Sequence, residues 1–290
     1  MIMIDVASAF RKCLYTGPNG LTIPYRLYIP KNYDCGEQYP LVLYLHGAGN
    51  RGTDNEKHLY PISLWFRNEN NPVYNAIVVA PQCPENRQWV DAEWLPGVYS
   101  VDQFQETDEL KAVLAILERV MEFCNIDEDR VYVTGESMGG YAAWDLLTRH
   151  GARFAAGVPI CGGVDVSKAN LLKRIPIWLF HGSEDKEVLP EGSRLIYAQI
   201  RKLGGEEIRY TEYNGVAHNA WDFANLDTEM HEWLFRQSRL ERRLRAEKKA
   251  KQKKNAVIAG SGIGALLVSI TTLILVKKGR KKKDADKTEK

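Results

Sequence analysis

Short apolar runs alternate with longer amphipathic ones along the first 236 residues. Runs at 24–29, 41–45, 76–80, 131–134, 156–160, 177–180 and 208–213 have the length and the β-branched or aromatic content of buried strands. Between them apolar residues recur at helical spacing over 108–124, 138–150, 191–203 and 222–236. In the first of these Leu110, Val113, Leu114, Leu117, Val120 and Met121 share one face. Nearly continuous apolar strands separated by such helices predict an α/β fold, with a mostly parallel central sheet covered by helices on both faces. No internal repeat interrupts the alternation.

Beyond residue 236 the pattern changes. Residues 237–255 are rich in helix formers and cations and poor in apolar positions, which predicts a basic helical linker. The 21 residues 256–276 carry no charge, and as a helix they would span roughly 31 Å, the thickness of a bilayer core. Cationic runs flank this segment on both sides and suit phospholipid headgroups, so a C-terminal transmembrane helix is expected, followed by a basic disordered tail at 277–290. Gly260 and Gly264 have the G-x-x-x-G spacing through which two such helices could pack as a homodimer. The N-terminus lacks the basic region and apolar core of a signal peptide, so the expectation is a tail anchor with residues 1–236 in the cytoplasm.

The formal charge of +2 conceals an asymmetry, because residues 239–290 hold 17 Lys and Arg against 5 Asp and Glu, leaving the body acidic. Such a body is a poor nucleic-acid binder, since phosphate contacts need a basic face. Five widely spaced cysteines, Cys13, Cys35, Cys83, Cys124 and Cys161, form no C-x-x-C pair. They read as reduced and mostly buried thiols.

Two stretches carry candidate chemistry. "LVLYLHGAGNRGTDN", residues 41–55, ends an apolar run in Gly47, Gly49 and Gly52, the G-x-G-x-x-G spacing of a dinucleotide cradle. That reading fails because Pro61 and the polar residues before it spoil the helix that should start at the phosphates, and the acidic residue due about 20 positions on falls in a polar loop. "GESMGG", residues 135–140, follows the apolar run 131–134 and opens an amphipathic helix. Strand, tight turn and helix are the context of a nucleophile elbow, which would present Ser137 at the positive end of a helix.

A serine hydroxyl is a weak nucleophile and needs a base, itself oriented by an acid. In an elbow fold these follow the serine in the order acid, then histidine. Asp185 stands in the loop after the run 177–180, with Glu184 and Glu187 as neighbours, and His218 stands in the loop before the last helix. Of the other histidines, His46 and His181 each close a strand before a glycine, His58 lies in a polar loop, and His150 and His231 are helical. An oxyanion would be held by the N–H of Met138 and by that of Ala48 or Gly49.

With these pieces in hand the chain resembles the α/β-hydrolase superfamily, and within it the prolyl-oligopeptidase-like "predicted peptidases" and the feruloyl-esterase-like carboxylesterases. The resemblance rests on "LHGAGNRGTDN", "VVAPQCPENRQW", "VTGESMGGYAAW", "PICGG", "HGSEDKEV" and "GVAHNAW". It implies Ser137, Asp185 and His218 as a catalytic triad, and it implies Trp89 and Trp221 near the acyl or alcohol pocket. The resulting expectation is a membrane-tethered serine hydrolase that cleaves small carboxylic esters without metal or organic cofactor. The alternatives are a serine peptidase acting on short peptides and a catalytically idle, membrane-anchored binding module.

Overall fold

The computed structural model describes residues 5–252 and 254–255, and the chain divides into two compact units, Met1–Arg239 and Leu240–Lys290. In the first unit eight strands form one sheet: β1 (Phe10–Thr16), β2 (Thr22–Tyr28), β3 (Tyr39–Leu45), β4 (Ile77–Pro81), β5 (Ile126–Glu136), β6 (Ala156–Ile160), β7 (Ile177–Gly182) and β8 (Ile208–Tyr213). Their order is β1-β2-β4-β3-β5-β6-β7-β8, antiparallel where β2 meets β1 and β4 and parallel elsewhere. The helices are α1 (Val6–Ala9), α2 (Tyr60–Ser63), α3 (Asp108–Phe123), α4 (Met138–His150), α5 (Ala169–Leu172), α6 (Glu191–Lys202), α7 (Trp221–Ala224) and α8 (Thr228–Phe235). The architecture is thus the expected α/β-hydrolase-like one.

Two cores explain why strands with almost no polar residue sit at the centre. Successive side chains of a strand face opposite ways. Leu41, Leu43 and Leu45 of β3 therefore pack with Leu110, Val113 and Leu117 of α3 on one face, while Val42 and Tyr44 pack with Trp65 and with Met230, Trp233 and Leu234 of α8 on the other. Each fully buried Leu or Val contributes roughly 1.5–3 kcal/mol, so a charge introduced anywhere along β3 would disrupt one core or the other.

The structure departs from the pattern-based expectation in three places. Strand β1 was not legible, because only Phe10 of its seven residues is buried and the edge strand lacks an apolar face. Strand β5 begins at Ile126, five residues earlier than the apolar run, where it first pairs with Tyr39 of β3. The single helix expected over 222–236 is two helices, broken where Asp227 turns to cap Met230 N–H. At that break Asn225 is buried, accepting from Trp65 Nε1 at 2.8 Å and donating to the Tyr44 hydroxyl at 3.0 Å.

The cysteines are unpaired as expected, with Cys83, Cys124 and Cys161 buried, Cys13 half-buried and Cys35 exposed. In the second unit residues 241–252 are helical and almost wholly exposed. The apolar segment 256–276, with its Gly260 and Gly264, and the tail 277–290 lie outside the described residues. Among the described residues no helix is long and apolar enough to cross a membrane.

Candidate active site

Strand register brings the candidate chemistry to one edge of the sheet. Leu45 of β3 pairs with Gly135 of β5, Glu136 of β5 with Ile160 of β6, and Gly182 of β7 with Tyr213 of β8. The loops that leave these strand ends hold Ala48 and Gly49, Ser137, Asp185 and His218. Ligands in parallel sheets bind outside the carboxyl ends of the strands for this reason.

Ser137 joins β5 to α4 at φ 53° and ψ −119°, a left-handed backbone uncommon for a residue with a side chain. Such strain costs on the order of 1–3 kcal/mol and persists only where the surroundings impose it. Here they do, because a Cβ on Gly139 would stand 1.9 Å from Leu45 O and one on Gly135 would stand 2.5 Å from the same oxygen. The two glycines let α4 start hard against the end of β3. Gly139→Ala should therefore fail to fold or lose most activity, since the atom it meets is main chain that cannot swing aside; a soluble, fully active variant with an unchanged melting temperature would contradict that close approach.

His218 receives Ser137 on one side and Asp185 on the other. Its Nε2 is 2.7 Å from Ser137 Oγ and its Nδ1 is 2.7 Å from Asp185 Oδ2. Ser137 and His218 are both partly buried. The two loops are sewn together by Glu184 N–H donating to Val216 O at 2.9 Å and Gly215 N–H donating to Ser183 Oγ at 2.9 Å. Gly182 makes this approach possible, as a Cβ there would lie 2.1 Å from Ala217 O.

Among the three acidic candidates the geometry selects one. Asp185 is buried, whereas Glu184 and Glu187 are exposed, and Glu187 comes no nearer than 4.0 Å to Nε2, on the side away from Asp185. Burial on its own would raise the Asp185 carboxyl, but hydrogen bonds from His181, His218 and Val188 N–H outweigh it and hold the group well below the usual carboxylate range. Its Oδ1 also accepts from Glu187 N–H at 2.9 Å. His181 is the contributor that sequence reasoning set aside as an ordinary strand-end histidine. Its Nδ1 accepts from Ser193 Oγ, which leaves Nε2–H to share between Val188 O at 2.9 Å and Asp185 Oδ2 at 3.2 Å.

The glycine-rich loop after β3 is a short 3-10 turn, Ala48–Asn50, rather than the start of a long helix. The first N–H groups of such a turn, like those of α4, have no carbonyl behind them to bond. Ala48 and Gly49 fall at these first positions of the turn, and Met138 at the first position of α4. The loop itself is firmly held: Gly47 N–H donates to Glu136 Oε1 at 2.9 Å, Arg51 Nε donates to Ala48 O at 3.0 Å, and Gln82 Nε2 donates to Asn50 O at 3.1 Å. His46 anchors its root, donating from Nδ1 to Gly47 O and accepting Cys83 N–H at Nε2. Burial lowers His46 to about 3, so the imidazole stays neutral.

Of the two tryptophans expected near the pocket, Trp221 stands edge-on to His218 with ring centroids 5.1 Å apart. Trp89 is fully buried and its indole N–H donates to His46 O at 3.1 Å. The remaining histidines are structural. His58 donates to Ala80 O, His150 pairs with Glu106, and His231 accepts from Asn71 Nδ2.

Among the described residues one group offers metal-ligand atoms in proximity, Cys161, His181 and Asp185, within 4.8 Å of one another. Their imidazole and carboxylate atoms already bond each other and His218, so a metal ion would have to displace those hydrogen bonds.

Comparison with known proteins places the fold among esterases. Carboxylesterase SOBER1 of Arabidopsis thaliana is 25% identical over 197 residues, spanning 61% of this chain and 82% of that protein. A thermostable esterase of known crystal structure is 38% identical with a TM-score of 0.73, and the match covers 81% of this chain and 64% of that one. The feruloyl esterase module of Clostridium thermocellum, at 17% identity and a TM-score of 0.57 over 80% of this chain and 88% of its own, shares the fold. Residues 20–193 match the family model described as "Putative esterase". That span includes the elbow and Asp185 within one α/β-hydrolase sheet, and on this match the chain belongs to the esterase family and is a hydrolase.

Proposed function

We propose that this enzyme cleaves small carboxylic esters through an acyl-enzyme on Ser137. His218 takes the Ser137 proton at Nε2 and returns it to the departing alcohol, while Asp185 accepts from Nδ1 and keeps the imidazole in the tautomer that can do so. The N–H groups of Met138 and of Ala48 or Gly49 receive the negative charge of the tetrahedral intermediate. Water then attacks the acyl-enzyme by the same route in reverse. The observation that carries the reading is the unbroken line Asp185–His218–Ser137, each link 2.7 Å. The route calls for neither metal nor organic cofactor.

Relatives named carboxylesterase and feruloyl esterase support an ester rather than a peptide substrate. An ester also needs less help from a general acid, because its alkoxide leaves more readily than an amine. A screen of p-nitrophenyl acetate and butyrate, feruloyl esters and dipeptide anilides, paired with a fluorophosphonate probe, tests this. Labelling with faster turnover of esters is the expected result. Faster turnover of the anilides would make the enzyme a peptidase, and absence of both labelling and turnover would leave a binding module.

The uncharged segment 256–276 supports a second part of the reading, that the hydrolase is tethered to a membrane by a C-terminal helix, with its body on the cytoplasmic side and Gly260 and Gly264 available for homodimer packing. Carbonate extraction of the full chain against a chain ending at residue 255 tests the tether; release of both alike would remove it.

A further inference from the structure

One buried carboxyl is unused by the mechanism above. Glu136 directly precedes Ser137 at the end of β5 and is 2% exposed. Its Oε1 accepts Gly47 N–H at 2.9 Å, while its Oε2 is buried with no hydrogen bond of ordinary geometry. The Tyr44 hydroxyl also faces this carboxyl, and a buried carboxyl calls for a reason. Gly47 is the residue from which the loop bearing Ala48 and Gly49 departs, and a Cβ on it would lie 3.4 Å from Ser137 Cβ. A single side chain thus links the strand carrying the nucleophile to the loop carrying one oxyanion donor.

We propose that Glu136 is a positioning residue for turnover, fixing through Gly47 the distance between Ser137 and the Ala48–Gly49 donors. The proposal rests on the assignment of Ser137 as nucleophile. A neutral carboxyl still accepts the Gly47 N–H, whereas an ionised one would set a second negative charge beside the developing oxyanion and raise the barrier.

The surroundings agree with a neutral group. Burial pushes Glu136 up to about 8, against the opposing pull of hydrogen bonds from Tyr44 and Gly47 N–H, and the negative charge of Asp222 on α7 adds to the rise. Three further titratable groups lie in the same layer. Burial pushes the Tyr44 hydroxyl of β3 and the Cys161 thiol after β6 upward, and it holds His46 neutral at about 3. Glu136 itself changes charge just above neutrality. The sign follows: below about 8 the loop is held by a neutral acceptor, and as pH rises through about 8 the charge appears and kcat falls.

The test compares wild type, Glu136→Gln, Glu136→Ala and Ser137→Ala on p-nitrophenyl acetate between pH 6 and 10, with thermal melts of each. Glu136→Ala, which removes the acceptor, is expected to lower kcat about 10- to 100-fold, below the loss from deleting an oxyanion donor outright, with KM little changed. Glu136→Gln keeps an acceptor at Oε1 and cannot ionise, so it should retain most of the neutral-pH kcat and lose the alkaline fall. A Glu136→Ala protein that only melts earlier, at wild-type kcat, overturns the proposal, as does an alkaline limb unchanged in Glu136→Gln. If Ala fails to fold, the Gln profile alone decides. Turnover persisting in Ser137→Ala would instead bring down the nucleophile assignment itself, which keeps the two failures apart.

Discussion

Ser137→Ala is expected to reduce kcat for short p-nitrophenyl esters by about 10⁶-fold, the scale set when a serine hydrolase loses its nucleophile. The Oγ removed is the atom 2.7 Å from His218 Nε2, and alanine offers nothing in its place to form the acyl bond. The fold should survive. Alanine keeps the Cβ that the elbow already accommodates at φ 53°, and the lost interaction is one half-buried hydrogen bond worth about 1 kcal/mol. On the proposed mechanism, the residual rate would come from the oxyanion donors assigned above acting on a water-driven reaction. Stopped assays and a melting curve on the same preparation check this; a properly folded variant retaining a few per cent of activity would move the nucleophile elsewhere.

Asp185→Asn should cost about 10⁴-fold in kcat with the backbone unmoved. The carboxylate accepts at Oδ2 from His218 and His181 and at Oδ1 from Glu187 and Val188 N–H. An amide in its place must turn its NH₂ toward one of these pairs. The two main-chain donors are fixed, so the amide oxygen stays with them and the NH₂ faces His218 Nδ1. The imidazole then takes the other tautomer, with its proton on Nε2, and can no longer accept from Ser137.

The same carboxyl links activity to stability. Its folded-state pKa is depressed, so its contribution to stability is present above the ordinary carboxylate range and is lost as pH falls below that range. Wild type should accordingly melt higher than Asp185→Asn at pH 7, and the gap should close under strongly acid conditions. A melting-temperature difference that does not vary with pH would show that the carboxylate is not held as described.

Several elements needed no structure to be found. The strands 156–160 and 208–213 and the helix 138–150 match residue for residue, because buried strands and amphipathic helices announce themselves by the spacing of apolar residues. The elbow was equally plain, since Gly135, Ser137 and Gly139 are neighbours in the chain. Edge strand β1 was not, because one buried residue in seven leaves no periodic signal. The break between α7 and α8 was hidden for another reason: Asn225 fits a helix by pattern, and what stops the helix is its buried partnership with Trp65 and Tyr44.

By itself the sequence determined the α/β alternation, the elbow and the order Ser137, Asp185, His218, all properties of local spacing or of chain order. Only the tertiary structure decided which polar groups meet. It joined His218 to Ser137 across 81 residues and to Asp185 across 33, buried Trp89 against His46, put His181 on Asp185, and set Glu136 against Gly47. Apolar burial is non-directional and can be read from composition along a window. A hydrogen bond is specific in distance and angle, so its partners are settled only when sheet order and the bare glycines at 135, 139 and 182 let separate strands close to within contact.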